Sequence, residues 1–346
     1  MKISTKRLVS ILVALSLLLT LVPFSAGAEQ NMADSSLITE VLPDQKVYSN
    51  ATLEDDFSDD SLIVVIKKEF SEVNKVYTPE DFGIPDVESV EDLTAFPDGT
   101  DGLEYLNTEE FRQIFKLNLK TSKRSKSNVL NTMKTLEKAD FIMSVEPNTT
   151  FNAFESLQSE PIASLEPVEE SQAQLSTSAI TPNDPRYSEQ YALDIINAPE
   201  AWEYSTGSSN VLVGVMDSGI DGNHPDLAGN ISTSLGISYT GDNSPYTDSF
   251  GHGTHVAGII GAKGNNGIGV AGVNWNVTLV SIKVLDSTGH GAPENTVLGI
   301  QYGILHNIPI LNMSFGIYKY DNSTYAALNN YNGLIVAAAG NENNNN

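Results

Sequence analysis

No cysteine occurs among the 346 residues, which excludes disulfides, thiolate nucleophiles and cysteine-ligated metal centres. Basic side chains are scarce: 19 Lys and Arg stand against 44 Asp and Glu, for a net charge of −25. A surface of that sign repels phosphate backbones and anionic lipid, so neither nucleic acid nor an anionic membrane is expected as a partner. Long apolar runs are absent apart from one, residues 8–21. At about 14 residues it is shorter than the roughly 20 that a spanning helix needs, so no stable membrane anchor is expected. Lys2, Lys6 and Arg7 precede that run and Ala26-Gly-Ala28 follows it. This is the layout of a secretory signal peptide over residues 1–28, and it predicts an extracellular protein. Export without disulfides leaves packing, and bound ions, to supply stability.

What is present is organised around residues 249–262, Ser-Phe-Gly-His-Gly-Thr-His-Val-Ala-Gly-Ile-Ile-Gly-Ala. Small residues at 253, 257, 258, 261 and 262 suit a helix pressed closely against a neighbour, and His252 stands at its entrance. Glycine inside a helix costs roughly 1 kcal/mol relative to alanine and is usually accepted where backbones must approach. Upstream, residues 210–216 form a short Val-rich run that ends abruptly in Asp217-Ser-Gly219, the pattern of a buried strand closed by a turn. Downstream, residues 333–340 form a second such strand, followed by Asn341. Carboxylates at strand tips lie where open α/β sheets carry their sites. An Asp to orient an imidazole, a His to act as base and then acid, and an Asn to donate to an oxyanion are three parts of a hydrolytic machine.

The stretches Asp217-Ser-Gly-Ile-Asp-Gly-Asn-His-Pro-Asp226, His252-Gly-Thr-His-Val-Ala-Gly258 and Ala337-Ala-Ala-Gly-Asn341, in that order, resemble the subtilisin-like serine proteases. The resemblance implies catalytic roles for Asp217 and His252 and an oxyanion-hole role for Asn341. It also implies a secreted endopeptidase acting on polypeptide substrates. From residue 211 onward candidate strands (211–216, 278–285, 308–313, 334–339) alternate with candidate helices (254–262, 294–305, 324–331). That alternation predicts an α/β fold, a parallel sheet with helices on both faces.

Ahead of this portion, residues 61–66 and 141–147 read as strands. Residues 108–115 read as a helix through the spacing of Phe111, Ile114 and Phe115. A further helix starts near a Ser127 cap and continues through Val129, Leu130, Met133 and Leu136. These elements predict a small α+β domain with its core at about 60–148, within residues 29–151. Residues 152–181, rich in Ser, Glu, Gln, Ala and Pro without periodicity, form a linker suited to proteolytic removal. The resemblance assigns residues 29–151 to a propeptide that assists folding and then occludes the cleft, and 182–346 to the peptidase domain.

By the same resemblance Ser314, Phe315 and Gly316 form a strand edge on which substrate lies. Gly289 and Gly291, around His290, line the opposite side. Ala338, Ala339 and Gly340 wall the main specificity pocket, and Glu342 stands at its rim. Residues 264–270, Gly-Asn-Asn-Gly-Ile-Gly-Val, resemble the family's calcium loop. Oxygens of Asp184, Asp226 and Asn266, with carbonyls of Gly264, Ile268 and Val270, are the implied ligands of a structural calcium ion; a plain Asn-Gly turn is the alternative. His252 and His255 lack the helical Glu of an H-E-x-x-H zinc motif. His224 and His255 are read as structural.

The family's nucleophile sits in a Gly-Thr-Ser-Met-Ala stretch. Here Gly-Thr occurs at 99–100 and 253–254, and Ser follows neither. The expectation is therefore a fragment of a longer gene product whose serine lies beyond residue 346, inactive as the 346 residues alone. The alternative is a truncated, non-catalytic relative that binds proteases or peptides.

Overall fold

A computed structural model describes residues 46–47, 49–97, 100–152, 179–241, 244–316 and 321–341. The predicted signal peptide, most of the predicted linker and Glu342 lie outside the described residues. Among the described residues no helix is long and apolar enough to cross a membrane.

The first layer is an antiparallel sheet. Its strands are β1 (Phe57–Ile66), β2 (Val87–Asp92), β3 (Ile114–Leu119) and β4 (Ile142–Thr149), ordered β2-β3-β1-β4. Helix α1 (Lys126–Leu136) crosses between β3 and β4. Its cap is Ser125, whose hydroxyl accepts from the Asn128 amide, two residues ahead of the predicted Ser127. Residues 62–66 of β1 are apolar without alternation because both faces of the sheet are buried. Leu62, Val64 and Ile66 join Phe115, Leu117, Val129, Met133 and Leu136 in one cluster. Ile63 and Val65 enter a different one with Ile114, Val297, Ile300 and Ile304.

The helix expected over 108–115 is not formed. Residues 108–110 form a turn, 111–113 have no regular secondary structure, and 114–119 are strand β3, paired with both β1 and β2. Phe111, Ile114 and Phe115 mimic a helical stripe, but Ile114 and Phe115 point to opposite clusters. Pairing on both edges outweighs so weak a local preference.

A two-residue strand, β5 (Phe151–Asn152), ends this part. The second sheet comprises β6 (Gly207–Asp217), β7 (Ile237–Ser238), β8 (Asn276–Lys283), β10 (Ile310–Met313) and β11 (Leu334–Ala337). All are parallel, in the order β11-β10-β6-β8-β7. Between them lie α2 (His252–Gly261), the short β9 (His290–Gly291), α3 (Pro293–Leu305) and α4 (Asn322–Asn330). Val256 and Ala257 of α2 pack on Val213, Val215 and Leu279 of the sheet. On the other face α3 packs against Val280, Ile282 and Leu311. The chain is thus α/β with a parallel sheet covered on both faces, preceded by an α+β layer.

One strand departs from expectation. The run 334–339 reads as buried, yet the strand stops at Ala337, and residues 336–339 are exposed. β11 is the sheet's edge, with β10 as its neighbour on one side, so its apolar sequence lacks a covering layer among the described residues.

Candidate active site

Parallel strands bring their C-terminal tips to one end of the sheet. Met216, Met313 and Ala337 stand level on β6, β10 and β11, so the residues that follow them cluster there. Asp217, the last residue of β6, is fully buried. Its main-chain carbonyl accepts from the Val284 and Leu285 amides, which fixes the strand tip. The His252 Nδ1–H donates to Asp217 Oδ1 at 2.8 Å, and the Ser218 amide donates to the same oxygen at 2.7 Å. A carboxylate can only accept, so this bond places the imidazole proton on Nδ1 and leaves Nε2 as a free base. Hydrogen bonding to Asp217 raises the His252 pKa above its ordinary value. Partial burial opposes the shift, and the charges of Asp217 and Asp248 add to it.

The close approach of α2 to this strand tip depends on glycine. A Cβ at Gly253 would lie 2.1 Å from the Gly219 carbonyl oxygen and 3.0 Å from Asp217 Cβ. Gly219 itself has φ +107°, and a Cβ there would meet the Thr247 carbonyl at 2.7 Å. The loops at Gly219 and Thr247 and the first turn of α2, which carries His252, therefore meet at backbone contact.

Sequence reasoning missed Asp248. Its Oδ1 accepts from the Ser218 hydroxyl and the Gly251 amide, both at 2.8 Å. Its Oδ2 accepts from the Thr254 amide at 2.8 Å and the Thr254 hydroxyl at 2.6 Å. The Ser218 hydroxyl in turn accepts from the Gly253 amide at 3.0 Å. One carboxylate thus caps the N-terminus of α2 and ties it to the residue after Asp217. Lys283, fully buried, supports the same loop by donating to the Thr247 carbonyl at 2.8 Å. An Asp just ahead of a helix start is a legible capping signal; its bond to Ser218 is not.

The remaining predicted residues are placed as follows. Asn341 follows Gly340 (φ +92°) beyond β11 and is exposed, as are Ala338 and Ala339. The Ala338 amide donates to the Met313 carbonyl. Ser314, Phe315 and Gly316 continue from β10, and Phe315 is buried. Gly289 packs against Phe250, beside the His252 ring. Between these two edges runs β5, with Phe151 opposite Gly291 and Asn152 opposite His290 in antiparallel register. The Phe151 ring stacks on Phe315 at 5.6 Å between centroids and 15° between planes. Added to one edge by main-chain pairing and to the other by a side chain, β5 behaves as an added strand does in peptide recognition.

The loop 264–270 gathers two buried carboxylates. Asp184 accepts from the Asn265 and Asn266 amides, and Asp226 from the Asn266 side-chain amide and the Val270 amide. The Asn266 side-chain oxygen accepts from the Ile268 amide. Gly269 (φ +52°) passes so close to Asp226 that a Cβ would lie 2.1 Å from its carboxylate. Among the described residues no group of three or more His, Cys, Asp or Glu side chains is gathered to hold a metal. All five side-chain oxygens of Asp184, Asp226 and Asn266 accept N–H bonds here; carboxylate and amide oxygens are the donor class that calcium prefers. His224 and His255 take no part in the Asp217–His252 pair.

Residues 208–346 match the family model described as the subtilase family. Thermitase of Thermoactinomyces vulgaris is 36% identical over 168 residues, covering 47% of this chain and 59% of that protein. Subtilisin amylosacchariticus of Bacillus subtilis subsp. amylosacchariticus is 41% identical over 156 residues, 44% of this chain and 40% of that protein. The minor extracellular protease Epr of Bacillus subtilis (strain 168) is 39% identical over 161 residues, 45% of this chain and 24% of that protein. The matched segment thus covers from a quarter to three fifths of these relatives.

Proposed function

Residues 208–346 belong to the subtilase family of serine proteases, and on that premise we propose that the chain works as part of a secreted serine endopeptidase made as a precursor. The observation that carries this reading is the Asp217–His252 hydrogen bond at the C-terminal end of the parallel sheet, with Nε2 left free. A serine hydroxyl from outside these 346 residues attacks the substrate carbonyl while His252 Nε2 takes its proton. The resulting imidazolium is stabilised by the buried Asp217 carboxylate, and it later protonates the leaving amine. Asn341 donates to the oxyanion that appears only in the transition state.

Substrate lies between the edge at 314–316 and the strand at 289–291, with Ala338, Ala339 and Gly340 along one wall of the main pocket. The pairing of β5 with β9 supports a propeptide at residues 29–151 that occupies this channel before its removal, followed by a linker at 152–181 and the peptidase domain from 182. Asp184, Asp226 and Asn266, with the carbonyls of Gly264, Ile268 and Val270, would hold a structural calcium ion, which would supply stability to the folded loop.

The test is secretion of the full gene product and assay of casein cleavage with and without a serine-directed fluorophosphonate. Inhibitor-sensitive cleavage that His252→Ala abolishes is the expected result. Secreted, folded protein with neither cleavage nor labelling would favour a non-catalytic, protease- or peptide-binding relative.

A further inference from the structure

Strand β9 closes a tight turn that Leu285 and Gly291 bridge. The Asp286 amide donates to the His290 carbonyl at 2.8 Å, and the Gly289 amide to the Asp286 carbonyl at 3.1 Å, with Gly289 at φ +80°. Asp286 Oδ1 accepts from the Thr288 amide at 2.8 Å, the Thr288 hydroxyl at 2.6 Å and the His290 amide at 3.0 Å. The hydroxyl gives its proton to the carboxylate, so in its 2.6 Å contact with His290 Nδ1 the ring is the donor. The Asp286 carboxylate lies 3.9 Å from the same nitrogen. Burial pushes the Asp286 carboxyl up, but the Thr288 bonds, the His290 amide and the His290 charge together hold it below its ordinary value. Asp286, Thr288 and His290 thus form a relay that keeps a proton on Nδ1 and leaves Nε2 to gain or lose one.

Among the described residues Nε2 has no hydrogen-bond partner, and the His290 side chain is 48% exposed. The same strand is one edge of the channel: Asn152 stands opposite His290 as Phe151 stands opposite Gly291. Directly opposite positions of antiparallel strands share a face, with Cβ atoms about 5 Å apart, and neighbours along each strand alternate. Phe151 is buried against Phe315 on one face, and positions 152 and 290 share the other. A Cβ at Gly291 would lie 2.8 Å from the Phe151 ring, so glycine admits the aromatic residue while the next position meets an imidazole. The charged groups of the adjoining elements are engaged elsewhere. Glu294, at the start of α3, pairs with Lys116 at 2.8 Å, and His252, beside Phe250, is bonded to Asp217. Asp248 is taken up by Ser218, Gly251 and Thr254.

We infer that His290 selects, through the charge on its ring, the residue of the bound strand that lies opposite it. With Nε2 unprotonated, the ring accepts, and the one full charge of the turn is the Asp286 carboxylate, so an amide or ammonium side chain is favoured at that position. With Nε2 protonated, the ring donates and carries a positive charge, so a carboxylate is favoured instead. The channel therefore prefers different peptides on the two sides of the His290 titration, while the aromatic contact with Phe315 is the same on both. Thr288 and Asp286 act through the ring, as positioning residues. The inference rests on the reading of the channel between 289–291 and 314–316 as a peptide-binding cleft, and adds to it a selectivity that pH sets.

The first arm of the experiment places the test residue in the chain itself. In the full gene product, with His252→Ala so that no self-cleavage intervenes, NMR titration of the His290 ring is compared between Asn152→Asp and Asn152→Lys. The ring should bind its proton about fivefold more tightly with Asp than with Lys, as for an exposed ion pair, and Thr288→Val should shrink the difference. The second arm uses the secreted enzyme and synthetic peptides copying residues 148–156, with Asp or Lys in place of Asn152. The ratio of their kcat/KM values is taken at about pH 5.5 and about pH 8.5. On acidification the ratio should turn about fivefold toward the Asp peptide, and His290→Gln should flatten it. Identical titrations in the two position-152 variants, or a pH-dependent ratio that survives His290→Gln, would overturn the inference. The first arm needs no hydrolysis. A secreted protein that cleaves neither peptide yet shows the titration difference would strike the protease reading and uphold the selectivity of the channel.

Discussion

Gly253→Ala is the smallest change that should disable the site. The new methyl group would start 2.1 Å from the Gly219 carbonyl oxygen, where ordinary contact begins at 3.4 Å. About 1 Å of movement is therefore required, and the obstacle is backbone. Gly219 cannot readily retreat, since the Thr247 carbonyl lies behind it and Lys283 holds that carbonyl. The movement falls on α2, and with it His252. A 2.8 Å hydrogen bond lengthened by 1 Å is no longer one. Overpacking of this kind costs about 1–3 kcal/mol of stability, and a 1 Å misplacement of a catalytic group costs about 10²-fold in rate. The assay pairs a thermal melt with an NMR titration of the His252 ring, which reads the Asp217 bond without needing turnover. The variant should melt lower, and its His252 pKa should fall back toward the ordinary imidazole range. A variant with wild-type melting and an unmoved His252 pKa would refute the claim that glycine at 253 sets the geometry.

Asp217→Asn removes the group that most raises the His252 pKa, so the titration should move to lower pH. Because Nε2 must be unprotonated to act, the acid limb of the activity profile should shift to lower pH in the same variant, with turnover about 10⁴-fold lower. The sign for stability is opposite. A raised imidazole pKa stabilises the fold below its unfolded value of 6.5, and that contribution disappears as pH rises through the folded value, so melts of the wild type and Asp217→Asn should differ most on the acid side. Asp248→Asn leaves the capping geometry one acceptor short and should cost about 1–2 kcal/mol in a denaturant titration, while also lowering the His252 pKa. Asn341→Ala in the complete enzyme should lower kcat about 10²–10³-fold with KM nearly unchanged, measured by steady-state hydrolysis of a peptide substrate. Calcium should raise the melting temperature over that in chelator, and Asp226→Asn should abolish the difference; coincident wild-type curves would leave the loop as a turn.

Much of this protein is local and therefore legible in its residues. A Val-rich run closed by turn residues marks β6, and the stripe from Val129 to Leu136 marks α1, because burial of one face or both writes itself into the sequence. The order Asp217, His252, Asn341 and the stretches around them carry the resemblance to the subtilase family, whose model matches residues 208–346. Other features exist only between distant segments. The stripe of Phe111, Ile114 and Phe115 suggests a helix, and only pairing with β1 and β2 makes it strand. Asp248 is one acidic residue among many until folding sets its carboxylate between Ser218 and the first turn of α2. Nor does any pattern in residues 94–112 announce their fit to the ends of α3 and α4. Those bonds join backbone groups to amide side chains some two hundred residues away. A backbone donor is the same in every residue but proline, so where it finds its acceptor is decided by the tertiary fold.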